Sequence, residues 1–344
     1  MFENIIDAPV DRAANSPRAV LAEVNELHEF SRLVRTLGTG RWIFRGHADK
    51  DWKLKSSLER QLVPDGPKTT NKIVQNALNA TRYTKYRATD EVFAIDLFKR
   101  QACTKLPRVE HLVEWLAAMQ HYGTATRLLD FTRSIYVALY FAFEDRLKKT
   151  DAAIYAIQYS DLLHNGTLNK ELIKDQQNVF LTGSMRGHKR VDAEVERYIS
   201  DNFYNNRKEL QDSLIKLADK SIEKRDERLG VIPVNVPGVN ERLIAQSGLF
   251  LMPRTFTSFS RNLSASLDLS EADINNPSYR YGWQGYPGNK KIMEDASLIK
   301  IVISRKLDDA MWNMLVQANV SARSLFPGLD GIAKSIKYDE VLYN

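Results

Sequence analysis

The sequence predicts an α+β protein: a mixed sheet at the core, helices around it, and a helical insertion at about 160–230. Three observations carry this. Strand-like alternations at 41–46, 152–159 and 298–305 lie between stretches of helical period. The segment from about Arg133 to Leu147 is apolar on nearly every face, so it should be a buried helix. Hydrophobic residues make up 43% and charged residues 27%, which suits a globular chain and excludes collagen, coiled coil and general disorder. A length of 344 residues allows one large domain or two small ones.

Taken in order, residues 1–23 are expected to form an N-terminal arm, loose as far as 20. Val24, Leu27, Phe30 and Leu33 predict a helix over 22–37 that stops at Gly38 or Gly40. Arg41–Gly46 reads as a strand with Trp42 and Phe44 on one face, Ile43 and Arg45 on the other. Pro64–Pro67 is a loop, and 71–101 has helical composition. Pro107–Tyr122 reads as a helix striped by Val109, Leu112, Val113, Leu116 and Met119, with Gly123 as its terminator. Thr124–Phe131 is extended. After the buried helix, 152–159 is a strand with Tyr155, Ile157 and Tyr159 on one side. Val191–Arg228 looks helical and solvent-facing, and Val231–Gly238 a turn-rich connector. Glu241–Met252 and Leu298–Arg305 read as strands, followed by a helix over about 307–317 and a closing 325–336 segment.

Composition also narrows function. The net charge of +6 permits a nucleic-acid or nucleotide partner without arguing for one. Cys103 stands alone and the six histidines are scattered, so neither a disulfide nor a metal site is expected. The longest apolar run, Ile135–Phe143, is less than half of what a membrane span needs, about 20 residues. Met1–Pro9 lacks the pattern of a secretory signal, and a reducing cytoplasm is the expected setting. Walker, GxGxxG, GxSxG and HExxH motifs are absent. Arg82–Arg108 carries seven basic residues against three acidic, interleaved with Tyr83, Tyr86, Phe93 and Phe98. That pattern suits nucleic acid, and more readily a solvated helix whose aromatics turn into the core.

Three polar clusters can carry chemistry. Arg45 sits on an otherwise apolar strand face and needs either a buried acid such as Asp130 or an anionic ligand. Gly46 would let a ligand approach the backbone. The second cluster, His121–Thr132, packs His121, Tyr122, Arg127, Asp130 and Thr132 between two apolar helices. Asp130 or Thr132 can instead cap the following helix. The third is Arg242 and Gln246 beside Gly248, where Gln246 can equally satisfy a buried backbone group.

These segments resemble the FRG-domain proteins. The resemblance rests on Trp42-Ile43-Phe44-Arg45-Gly46, then Trp52, Leu54, Ser57, Leu58 and Arg60. It continues through His121-Tyr122-Gly123, Thr126-Arg127-Leu128-Leu129-Asp130 and Ala138-Leu139-Tyr140-Phe141-Ala142, then Arg242, Gln246 and Gly248. It closes with Ser324-Leu325-Phe326-Pro327-Gly328-Leu329-Asp330. It spans about 24–338 and implies no settled activity for the family as a whole.

A more distant similarity links the chain to ADP-ribosyltransferases, in which an aromatic–Arg–Gly unit ends a core strand. Arg45 then looks like the dinucleotide-holding arginine, Phe131-Thr132 with the buried helix like the second element, and Gln246-Ser247-Gly248 like the third. This implies an NAD-using enzyme, an ADP-ribosyltransferase or NAD glycohydrolase, in phage defence or a toxin system. Arg45, His121, Asp130, Thr132 and Gln246 would be catalytic. Arg45, Gly46, Tyr122 and Arg127 would hold NAD, with Arg127 and Asp130 paired. Gly248 departs from the pattern, because a glutamate usually ends that motif; Glu241, Glu144 or Asp130 would have to supply the carboxylate, unless the chemistry runs without one as in the tRNA 2′-phosphotransferases. The alternative is a non-catalytic module for nucleic acid or a protein partner. Metal-dependent hydrolysis ranks last, since the clusters hold arginine and threonine rather than converging carboxylates.

Overall fold

The computed structural model describes residues 16–38, 42–62, 88–106, 109–144, 150–164, 170–171, 207–223, 228–236 and 241–336. Along the chain run β1 (Ala19–Val24), α1 (Leu27–Leu37), β2 (Trp42–His47), α2 (Ser57–Leu62), α3 (Ala88–Ala102), α4 (Leu112–His121), β3 (Leu129–Thr132) and α5 (Ile135–Phe143). Then come β4 (Ala152–Gln158), α6 (Tyr159–His164), α7 (Arg207–Glu223), β5 (Val231–Val234), α8 (Glu241–Ala245) and β6 (Gly248–Pro253). The rest are α9 (Phe259–Leu267), α10 (Glu271–Asn275), β7 (Tyr279–Tyr281), α11 (Lys290–Asp295), β8 (Leu298–Ile303), α12 (Asp308–Gln317), α13 (Ala322–Leu325) and α14 (Leu329–Ser335).

The strands form one eight-stranded mixed sheet in the order β5-β6-β3-β2-β4-β8-β1-β7. The fold is α+β, as the alternations predict. β4 lies inside the sheet between β2 and β8, and all seven of its residues are buried, which is why it reads as a nearly continuous apolar run. Strand alternation sends β2 side chains into two cores. Trp42 and Phe44 join Ile154, Ile299 and Ile301 under α1, α5 and α12. Ile43 joins Tyr155 and Ile157 on the opposite face, under α4, α7 and α9. Ser134 caps α5, its hydroxyl accepting from the Val137 amide at 3.4 Å.

Several expectations change. Ala19–Val24 is a buried strand, not part of an arm: β1 pairs in parallel with both β7 and β8, and the helix begins only at Leu27. Residues 1–15 lie outside the described residues. α1 does end at Gly38, with φ of 61°. The connector at 231–238 contains β5, whose Pro233 is tolerated because the strand is an edge, paired with β6 alone. α7, expected to face solvent, buries Leu210, Leu214, Leu217 and Ala218, a stripe at helical spacing. Much of the expected insertion (172–206) lies outside the described residues. The 241–252 stretch is not one strand. It breaks into α8, a turn with Ser247 at φ 46°, and β6.

One feature of the sheet positions the site. β2 and β3 are joined through a single registered pair, Phe44 with Thr132, whereas β2 holds six registered pairs with β4. Beyond that one pair, Arg45 and Gly46 run alongside Asp130 and Phe131 without a ladder, and the sheet opens there.

Candidate functional site

The opening between β2 and β3 is a cleft of about 320 Å³. Its walls come from both faces of the sheet: Ala117, Gln120 and His121 from α4, Ala138 and Phe141 from α5, and Arg242, Leu243 and Gln246 from α8 and its turn. Arg45, Gly46, Asp130 and Thr132 line it from the strands. The structure therefore brings Arg45, His121, Asp130, Thr132 and Gln246 together, although they come from three separate parts of the chain.

Arg45 is mostly buried, with its side chain 18% exposed. Its Nε donates to His47 Nε2 at 3.1 Å and its Nη1 to the Asp130 carbonyl at 2.7 Å. The Asp130 carboxylate lies 3.9 Å away and its side chain is 61% exposed. That is a loose, solvent-screened pairing, so the arginine is not sealed against an internal acid. Burial pulls its pKa down to about 10 against the opposing pull of Asp130, which leaves it charged at neutral pH. Nη2 carries no hydrogen bond among the described residues.

Asp130 is held from the side by Gln120, whose Nε2 donates to both carboxylate oxygens at 3.0 and 2.9 Å. Gln120 in turn accepts from the Thr126 hydroxyl. Neither Asp130 nor Thr132 caps α5, because Ser134 does. The Thr132 hydroxyl donates to the Gln246 carbonyl at 2.7 Å and accepts from the Ser134 amide at 3.1 Å. It thereby ties the turn after α8 to the start of α5. Gln246 belongs to that turn rather than to a strand, and its side-chain amide donates to the Leu325 carbonyl at 3.1 Å. Arg242 lays its guanidinium over the Phe326 ring, 4.4 Å from the centroid. Burial, and then the Arg242 charge, hold the His121 pKa below its usual value.

Three expected ligand contacts take other roles. Arg127 pairs not with Asp130 but with Glu91; both side chains are almost fully buried, and Arg127 also donates to the carbonyls of Pro253 and Arg254. It does not line the cleft. Tyr122 is exposed, with its ring edge-on to His121, and it does not line the cleft either. Gly46 borders the cleft, but the space left by its missing side chain belongs to α5. A Cβ there would sit 1.9 Å from the Ala138 carbonyl oxygen and 2.8 Å from the Ala142 nitrogen. Close approach at Gly46 thus serves helix-on-strand packing, not a ligand.

At 248, where the glutamate is missing, a side chain would require Leu243 to shift. A Cβ on Gly248 would meet the Leu243 side chain at 2.6 Å and its carbonyl at 3.2 Å. Glu144 instead pairs with Lys334 at 2.8 Å, and neither it nor Glu241 lines the cleft. Asp130 is the carboxylate that does.

Sequence reading passed over His47 and Gln120. His47 stands two residues past Arg45, hence on the same strand face, and Gln120 adjoins His121 at the polar end of α4; those placements were the available signals. The aromatic-basic stretch at 82–108 is described only from 88, apart from 107–108. Within α3, Ile95 is buried, Phe98 packs edge-on to Trp115, and Arg100 pairs with Asp96, while Phe93 is exposed. Arg82, Lys85 and Arg87 lie outside the described residues. Among the described residues no group of His, Cys, Asp or Glu is arranged to hold a metal ion, and no helix is long and apolar enough to cross a membrane.

No curated protein and no solved structure matches the chain. Residues 40–151 match the family model described as the FRG domain. That segment includes β2, α4, β3 and α5, and with them Arg45, Gln120, His121, Asp130 and Thr132; Arg242 and Gln246 lie beyond it. On this match over the strands and helices that build the cleft, it is the segment 40–151 that carries the likeness to the FRG domain.

Proposed function

We propose that the cleft binds a nucleotide through its phosphates, and that the ligand is NAD, from which ADP-ribose is transferred to an acceptor or to water. The observation that carries this reading is the state of Arg45: a charged guanidinium held at the cleft by a neutral ring and a backbone carbonyl, with Nη2 unengaged and only a loosely placed carboxylate nearby. A planar fork of donors suits phosphate oxygens. Arg242 adds a second cation to the wall, and Phe44, Phe131, Phe141 and Phe250 supply apolar surface for a base or nicotinamide ring. In the transfer step the bond from ribose C1′ to the nicotinamide nitrogen breaks, and its electron pair leaves on nicotinamide. The acceptor oxygen or nitrogen bonds C1′ and releases its proton. Asp130, oriented by Gln120, is the carboxylate placed to stabilise the cationic sugar and take that proton. His121, held neutral, is a second acceptor.

The acceptor in this reading is a protein or a nucleic acid. NAD consumption or target modification would suit phage defence or a toxin system, and we place the activity in the cytoplasm, where a lone thiol such as Cys103 stays reduced. The purified protein should release nicotinamide from NAD or label an acceptor with ADP-ribose. Arg45→Ala should lower the rate and the affinity for ADP-ribose by about 10- to 100-fold, the loss of one charge-assisted contact. Full activity in that variant overturns the proposal. A second reading, binding without turnover, is favoured by the glycine at 248, which leaves that position without a carboxylate. ADP-ribose binding with no nicotinamide release in any acceptor mixture would select it.

A further inference from the structure

We propose that His47 is the positioning residue for Arg45: fixed as the Nδ1–H tautomer, it accepts from Nε and turns the free end of the guanidinium toward the cleft without cancelling its charge. The inference rests on the anion-binding part of the reading above and adds a residue to it.

The tautomer follows from the partners. Nδ1 lies 3.3 Å from the Trp52 carbonyl, which can only accept, so Nδ1 bears the hydrogen. Nε2 faces Arg45 Nε at 3.1 Å, and an arginine nitrogen can only donate, so Nε2 offers its lone pair. Both bonds demand the same neutral ring. Its orientation is set by packing. His47 is 6% exposed, and its ring stands edge-on to Tyr155 at 5.3 Å and to Trp52 at 6.1 Å. The Tyr155 hydroxyl donates to the same Trp52 carbonyl at 3.2 Å. Burial, reinforced by the Arg45 charge, pulls the imidazole pKa down to about 3, so the lone pair persists at any ordinary pH.

The choice of acceptor matters chemically. A buried carboxylate at position 47 would orient Arg45 equally well but would neutralise it, and an anionic guest would then gain little. A backbone carbonyl and an uncharged imidazole hold two of the guanidinium nitrogens without neutralising them, so that only the loose, exposed Asp130 carboxylate competes with a ligand for the charge. This pattern differs from Arg127, whose charge Glu91 consumes within the fold.

Three substitutions in the full-length chain separate position from charge. ADP-ribose binding by calorimetry is the readout, with thermal unfolding followed in parallel. His47→Leu, which lacks an acceptor, should weaken binding by about tenfold or more. His47→Gln, which keeps a neutral acceptor, should restore most of that loss. His47→Glu, an acceptor that neutralises, should bind no better than His47→Leu, which a purely structural role for the site would not produce. A Gln variant as weak as Leu, or a Glu variant as tight as the unmodified protein, overturns the inference. Nitrogen-15 NMR of the unmodified, histidine-labelled protein decides it without any variant: Nδ1 must be protonated and Nε2 bare at neutral pH, and the opposite tautomer overturns it. Failure of the unmodified protein to bind ADP-ribose would remove the proposed function, and the tautomer would then decide the His47–Arg45 arrangement alone.

Discussion

At the scale of single residues, two arginines show what a guanidinium can become inside a fold. Arg127 is spent on stability: it meets Glu91 where both are almost fully buried, and adds two carbonyls. Arg45 is equally tied in position but keeps its charge, because its firm partners are uncharged. The sequence offers both as ligand-holding arginines, with Arg127 paired to Asp130, and does not tell their fates apart, since the difference lies in which acid each one reaches through space. His47 has a consequence of its own. Its pKa is near 6.5 in the unfolded chain and about 3 in the folded one. Between those values the unfolded chain binds a proton that the folded chain does not. The stability that His47 confers is therefore complete above pH 6.5 and is lost as pH falls through that window, by on the order of a few kcal/mol. Denaturant unfolding at pH 7, 5.5 and 4 should show a shallower acid loss in His47→Gln than in the unmodified protein.

At the scale of elements, the site exists because two strands part. β2 and β3 share one registered pair, and past it α4 from one face and α5 from the other reach the gap. α5 can come that close because Gly46 presents no side chain to its backbone. Gly46→Ala must push helix and strand apart, which overpacking data put at about 1–3 kcal/mol or more. Chemical denaturation should show that loss, together with weaker ADP-ribose binding as Arg45 shifts. Unchanged stability would mean that α5 is not seated on Gly46. α5 was legible in the sequence, since a nine-residue stretch so uniformly apolar has no face to give to water. α8 and β6 were not. Their apolar run is short, and only the turn at Ser247, tied through its carbonyl to the Arg133 amide, divides helix from strand.

At the scale of the molecule, the FRG-matched segment does not form the sheet by itself. β3 pairs with β6 and β2 with β4, so the two strands inside residues 40–151 are flanked on both sides by strands that follow that segment. Arg242 and Gln246 reach the cleft from the same later region. A fragment comprising 40–151 alone should therefore show no cooperative unfolding transition and no ADP-ribose binding, whereas the full chain shows a transition. A cooperatively folding fragment would indicate that the matched segment is an independent unit.

The α+β class, the buried α5, the strands β2, β4 and β8, and the need of Arg45 for a partner were all decided locally, by apolar period and by the cost of burying charge, which are properties of neighbouring residues. The parting of β2 from β3, the neutral partner behind Arg45, the packing of Leu243 against Gly248 and the diversion of Arg127 to Glu91 were decided only in three dimensions. Each depends on which segments distant in sequence pack within a few ångströms of one another, and a hydrogen bond or a steric clash acts over that distance alone.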